Sequence, residues 1–394
     1  KIHVFAEDEI SIRELSGVLA GNDLNWDSTA VIHITNDVYV PAGNVLNVGA
    51  GTIILVSGKV NIFVEGDVHC LGTYESPILF SASDQPWGMI HHTGLTNFYQ
   101  HTLFTGGGGD ESYIFGHSES QPVLSGKDCN IDLENICISD NIGKALGFFR
   151  SVVNLRRSLI TRCDTGGELV ATLANIEDCW FMDIPDNTLT KHFDSNDALY
   201  LHEPWIGGSD ITRIYNSVFI NGKNDGIDHN GANVLIESCV FSDFDDEGIA
   251  TSASKNIEIF NSLIFNCEQG VESGYGGATV KVDHCLMINN EIGLRFRDEY
   301  EWGNNGSLIV TNSISVSNSK YNVWNFVDNL NGPKEGAIQI SYSMMNEAEY
   351  DLKDGCLAGV PNLDSNWLIS RDTPGFRDAD DGSSMGLLPW GVKQ

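Results

Sequence analysis

The sequence predicts an all-β chain wound as a parallel β-helix, a single-domain solenoid with an N-terminal capping segment and a turn-rich C-terminal tail. Three observations carry this. Gly226, Gly248, Gly270 and Gly293, each followed by an aliphatic residue, recur 22, 22 and 23 residues apart, with Ala198 in the same slot one coil earlier. A second ladder lies between those rungs: Asn216-Ser217-Val218, Ser238-Cys239-Val240, Asn261-Ser262-Leu263, His284-Cys285-Leu286 and Asn312-Ser313-Ile314. The runs that join the ladders, such as Asn233–Glu237 and Asn256–Phe260, alternate with a period of two, as half-buried strands do. No long amphipathic helical pattern separates them. Two or three strands per coil, stacked at about 4.8 Å, then place like residues over like. The Ser/Cys ladder is expected inside, and the Asn ladder at a turn where left-handed backbone is tolerated.

The elements follow in order. Residues 1–37 are expected to cap the solenoid, with a short helix over Ile10–Ala20 blocking the open sheet edge. Residues 38–354 form the coils, narrow at first over 38–82. The stretches 181–195 and 296–307 break the period and are expected as loops over one face, where repeat proteins carry function. Residues 355–394, with Pro361, Pro374-Gly375 and Asp380-Asp381-Gly382, are a tail packed on the helix.

Composition narrows the function. The 394 residues carry 22 Lys+Arg against 54 Asp+Glu, a net charge of −32. That excludes a nucleic-acid binder, which needs a basic stripe, and disfavours an anionic membrane surface. A hydrophobic fraction of 41% is too high for a disordered acidic chain. No run approaches the roughly 20 apolar residues of a membrane-spanning helix. The chain begins at Lys1 with no signal-peptide pattern, as a mature chain would. Nine cysteines without a CxxC pair argue against a zinc ribbon or a full disulfide framework. A monomer is expected, secreted to an extracellular or periplasmic bacterial setting, where salt screens the self-repulsion.

Aligned coils turn outward residues into columns. Two residues past the Gly slot the column reads Tyr200, Asp228, Ala250, Glu272, Arg295; one residue before it, Asp197, Asp225, Glu247, Gln269, Ile292; two before, Asn196, Asn224, Asp246, Glu268, Glu291. So many carboxylates on adjacent rungs repel one another, which marks them for acid/base work or cation binding. Asp228 and Glu272 lie two coils apart, about 9.6 Å, and Asp225 and Glu247 one coil apart, about 4.8 Å. Inverting glycosidases separate their carboxyls by about 6.5–9.5 Å and retaining ones by about 5–5.5 Å, so both pairings are open. Strict alternation turns Asp228 outward, and Asp225 reaches the same side only if the turn before Gly226 bends it there. Parity sends His229 inward. Tyr200, His202, Gln269, Tyr300 and Trp302 are the further candidates for contact with a sugar, together with Arg295 and Arg297 for an anionic substituent. No cofactor is required, although Asp246, Glu247 and Glu268 could hold Ca²⁺ through oxygen ligands.

The run Asn224–Arg297 resembles the active-site coils of polygalacturonase-type glycoside hydrolases, within the pectate-lyase-like right-handed β-helix superfamily. Asn224-Asp225-Gly226-Ile227-Asp228, Asp246-Glu247-Gly248-Ile249-Ala250 and Arg295-Phe296-Arg297 are similar to three of that family's motifs. Gln269-Gly270-Val271 stands where its Gly-His-Gly would be. The resemblance implies a right-handed helix with Asp246 as general acid, Asp225 and Glu247 as water-activating bases, and Arg295 and Arg297 as substrate holders. It implies an endo-acting hydrolase of an anionic polysaccharide, such as a marine sulfated fucan. The alternatives are a polysaccharide lyase, with an arginine base and Ca²⁺ acting on a uronate, and a non-catalytic glycan-binding β-helix.

Overall fold

The computed structural model describes residues 11–184, 196–253, 255–274, 276–296, 306–325, 337–346 and 354–389. The chain divides into two compact units, one of residues 1–175 and 179–196, the other of residues 176–178 and 197–394. Each contains coils of three strands, and the described strands pair in parallel from coil to coil.

In the second unit one coil runs Thr212–Tyr215, Val218–Gly222 and Ile227–Asn230, and the next Val234–Glu237, Val240–Phe244 and Glu247–Ser252. First strands pair only with first strands, second with second and third with third. The coil therefore has three faces, here called first, second and third. The inward column of the third face, Ile227, Ile249, Val271 and Leu294, is fully buried. On the second face Phe219 and Phe241 stack inside at 4.9 Å between ring centroids.

The corner between first and second faces explains the polar ladder. Asn216, Asn261 and Asn312 adopt φ of 48°, 48° and 51°, with Ser238 and His284 in the same left-handed region. The next residue points inward: Ser217, Cys239, Ser262, Cys285 and Ser313 are all buried completely. A sharp corner strands a backbone amide, and the ladder supplies its partner. The Ser262 hydroxyl donates to Phe260 O at 3.0 Å and accepts from Cys239 N–H at 3.1 Å. Ser313 does the same for Thr311 O and Cys285 N–H, at 2.7 and 3.1 Å.

The glycine slot has a different cause, which is space. A Cβ on Gly226 would lie 2.5 Å from Gly248 O, and one on Gly248 would lie 2.6 Å from Ile264 Cγ2. Neighbouring coils approach so closely there that no side chain fits.

Two expectations change. The helix expected over Ile10–Ala20 is a strand, Ile12–Val18, paired with Val31–Val40. The coils therefore begin well upstream of residue 38. A shift in register between Leu15 and Gly17 bends this strand around a corner, which spaces its apolar residues by three and imitates a helix. At the other end Leu357–Ala358 still pairs with Met344–Met345. The following residues then turn back over the second face, where Ile369, Met385 and Leu387 bury Leu263, Leu286, Ile314 and Met344. All nine cysteines are free thiols, eight of them buried.

Candidate functional site

The site is a carboxylate cluster at the leading edge of the third face in the second unit. Pairing sets its rows. Tyr200 lies beside Asp228, Asp228 beside Ala250, Glu272 beside Arg295, and Arg295 beside Trp324. Glu247 lies beside Gln269. The turn before each glycine bends the preceding carboxylate toward the outward row, so Asp225 joins Asp228 although simple alternation would separate them. Carboxylate oxygens of Asp197, Asp225 and Asp228 lie within 4.8 Å of one another, and so do those of Asp225, Asp246 and Glu247. Asp225 belongs to both groups.

The cluster is held from below and from its flanks. Glu247 N–H donates to Asp225 Oδ1 at 3.1 Å, Gln269 Nε2 donates to Glu247 Oε1, and Asn224 Nδ2 donates to Asp197 Oδ1 at 2.6 Å. Asp225 and Glu247 are 7% and 6% exposed. Burial first, then the charge of Glu247, holds the Asp225 carboxyl well above the usual carboxylate range. Burial and then Glu272 do the same to Glu247. Two ionised carboxylates this close in a poorly solvated place repel, so the pair retains a proton unless a cation replaces it. Glu268 is raised more modestly, by burial and then by Asp246.

Three features fit a hard divalent cation: carboxylate oxygens in overlapping groups of three, no imidazole or thiolate among them, and the buried Gln269 Oε1, which has no hydrogen-bond partner among the described residues. Asp225, Asp246 and Glu247 would hold it, with Asp197 and Asp228 alongside. Glu268, expected as the third ligand, is exposed and lies outside both groups.

The other expected residues divide. Arg295 is half-buried, 3.9 Å from Glu272 and with its guanidinium 5.4 Å from the Trp324 ring centre. Tyr200 stands in the outward row but is only 5% exposed, its hydroxyl accepting from Asn230 Nδ2 at 2.7 Å. His202 lies against the Tyr200 ring. His229 does not reach the face. It is fully buried, donates to Ala232 O, and burial lowers its pKa. A wall residue of the coil, it cannot touch a glycan. Arg297, Tyr300 and Trp302 lie outside the described residues.

Two neighbours of the expected residues are added by the structure. Asp197 stands in the column of Asp225 and Glu247, one coil earlier, where Ala198 replaces the glycine. Trp324 follows Arg295 by 29 residues instead of 22, which takes it out of the period.

Comparison with known proteins bears on the fold. A family model described as "right handed beta helix region" matches residues 205–346. The fold is a right-handed parallel β-helix. No curated protein matches the sequence. Among solved structures, the PL6 family alginate lyase AlyGC is 11% identical with a TM-score of 0.46, over 88% of this chain. This chain spans 57% of that protein's length. The mannuronan C-5 epimerase AlgE6 A-module of Azotobacter vinelandii is 12% identical, TM-score 0.42, over 83% of this chain and 92% of that one. Pectate lyase Pel9A is 14% identical, TM-score 0.41, over 91% and 88%. Among the described residues no helix is long and apolar enough to cross a membrane.

Proposed function

We propose that the chain is a carbohydrate-active β-helix enzyme that cleaves a uronate-containing polysaccharide by β-elimination, with a divalent cation held on the carboxylate cluster. One observation supports this reading. Asp225 belongs to two overlapping groups of three, with Asp197 and Asp228 and with Asp246 and Glu247, in each of which one oxygen per carboxylate lies within 4.8 Å of the others. Oxygens gathered in this way, with no imidazole or thiolate among them, form a donor set for a hard cation.

A bound cation would draw charge from the uronate carboxylate and so acidify the neighbouring C–H. The chain's own residues supply the rest. Arg295 pairs with the anionic sugar; its guanidinium does not release a proton at working pH, so it neutralises charge and is not the base. Glu272 beside it takes the proton from the carbon next to the carboxylate. Those electrons form a carbon–carbon double bond as the bond to the linking oxygen breaks, and that oxygen takes a proton from water.

A second reading keeps one specific observation. Asp228 and Glu272 stand on the same outward row with the small Ala250 between them, about 9.6 Å apart by strand spacing. That gap suits an inverting hydrolase. Incubation with uronate, sulfated and neutral polysaccharides separates the readings. Elimination gives products with a new ultraviolet absorbance that vanishes with chelator, and Asp225→Asn lowers their rate by about 100-fold or more. New reducing ends without that absorbance would favour the hydrolase, and no product from any polymer would leave a glycan-binding protein.

A further inference from the structure

The outward row of the site runs on from Glu272 through Arg295 to Trp324, and the column of Glu247 and Gln269 runs on through Ile292 to Tyr321. Both therefore reach an aromatic ring one coil past Arg295. The two rings stack on each other, with 5.4 Å between centroids and 11° between planes. The Arg295 guanidinium lies 5.4 Å from the centre of the Trp324 ring and 3.9 Å from Glu272. The Arg295 and Glu272 side chains are both 13% exposed, so their charges sit where water screens them weakly. Tyr321 is 47% exposed. A ring so open gains little from burial, and its place on the indole is support for that ring.

An arginine is a long, flexible arm, and gripping a ligand costs it rotamer freedom unless the head is already held. Charge alone does not hold it in one plane. Glu272 draws the guanidinium from the outer limit of an ion pair, and without a second pull the fork would close on that carboxylate as a bidentate pair. An aromatic face attracts the same charge through its quadrupole and offers no lone pair to the N–H donors. A guanidinium over an indole is thus kept beside Glu272 without being consumed by it.

We infer that Trp324 is a positioning residue, whose ring, backed by Tyr321, holds the Arg295 fork ready for the carboxylate of a uronate. This rests on the pairing of Arg295 with an anionic sugar proposed for the site. Trp324 acts through Arg295 and has no need to touch the glycan. Its loss lets the fork turn to Glu272, so an incoming uronate must first displace that carboxylate. The penalty falls on anionic sugars and spares neutral ones, which make no demand on the charge of the fork. Among aromatic rings the indole binds a cation best, and a phenyl ring keeps part of the effect.

Calorimetric titration of the whole chain in chelator, where the proposed elimination does not run, provides the test. The ligands are galacturonate, mannuronate and guluronate hexasaccharides and their carboxyl-reduced, neutral counterparts. Trp324→Leu should weaken uronate binding by about tenfold and Trp324→Phe by about threefold or less, with neutral oligomers held as before. On an Arg295→Gln background the same Trp324→Leu change should cost nothing more. Three results overturn the inference: Trp324→Leu binds uronates as the wild type does, it weakens neutral and uronate oligomers alike, or it keeps its full cost without Arg295. A wild-type chain that binds none of the uronates overturns it as well. Uronates that bind in the expected pattern and are left uncleaved in Ca²⁺ would sink the elimination and leave Trp324 in its role.

Discussion

Asp225 and Glu247 tie the stability of the coil to pH in an unusual direction. Both carboxyls are raised by burial and by neighbouring negative charge, whereas in the unfolded chain they ionise near pH 4. The folded state therefore holds protons that the unfolded state has lost. Their contribution is fully present below about pH 4 and falls as pH rises through the raised values. In chelator, the melting temperature should decline as the pH rises above the range where free carboxylates ionise, about pH 4. Asp225→Asn should flatten that decline and raise the melting temperature at the alkaline end, while abolishing turnover. A variant that melts lower at every pH would show instead that the Asp225 charge is compensated in the fold. The same pair makes cation binding a proton exchange. Calorimetric heats of Ca²⁺ binding should then vary with the ionisation enthalpy of the buffer, and heats that do not vary would place the ion elsewhere.

The element that makes the solenoid is the corner, and its chemistry can be tested rung by rung. Ser262→Ala removes the acceptor of the buried Cys239 N–H and should cost about 1–3 kcal/mol in urea unfolding. Cys285→Ser places in the column the hydroxyl that its neighbours already use, and should change stability by less than about 1 kcal/mol. Equal costs for the two would mean that the ladder is valued for its volume alone. This element was legible in the sequence because stacking repeats it: Asn261-Ser262 and Asn312-Ser313 show the same corner on different coils. The carboxylate rows were legible for the same reason, since Asp225 and Glu247 keep one position relative to their glycines. What the period could not carry was misread or missed. Ile12, Leu15 and Val18 pass around a bend, so their spacing of three suggested a helix where a strand runs. Trp324 follows an extended coil, and no count of 22 leads to it. Asp225 lay at the edge of legibility, because alternation alone sends it inward and only the tight glycine turn returns it to the face.

At the scale of the molecule, a solenoid leaves long faces open, and this chain closes one of them with itself. Residues of the tail lie along the second face of the second unit, tied at the corner by Asp380 and Asn312, which exchange hydrogen bonds of 2.8 and 2.9 Å, and by Leu388 N–H, which donates to Asn261 Oδ1 at 2.8 Å. Those ties hold Met385 and Leu387 over Ile314 and its neighbours. Burial of Leu263, Leu286, Ile314 and Met344 contributes about 1.5–3 kcal/mol each, a sum comparable with the net stability of a whole domain, about 5–15 kcal/mol. Met385→Ala, which opens a cavity at the centre of this contact, should lower unfolding stability by about 2–5 kcal/mol. A chain ending at residue 359 bares the entire row and should melt lower, with light scattering that grows with concentration as the exposed faces meet. If the shortened chain melts as the full one does, the tail only decorates the coils, and the face beneath it would be as self-sufficient as the polar corners beside it.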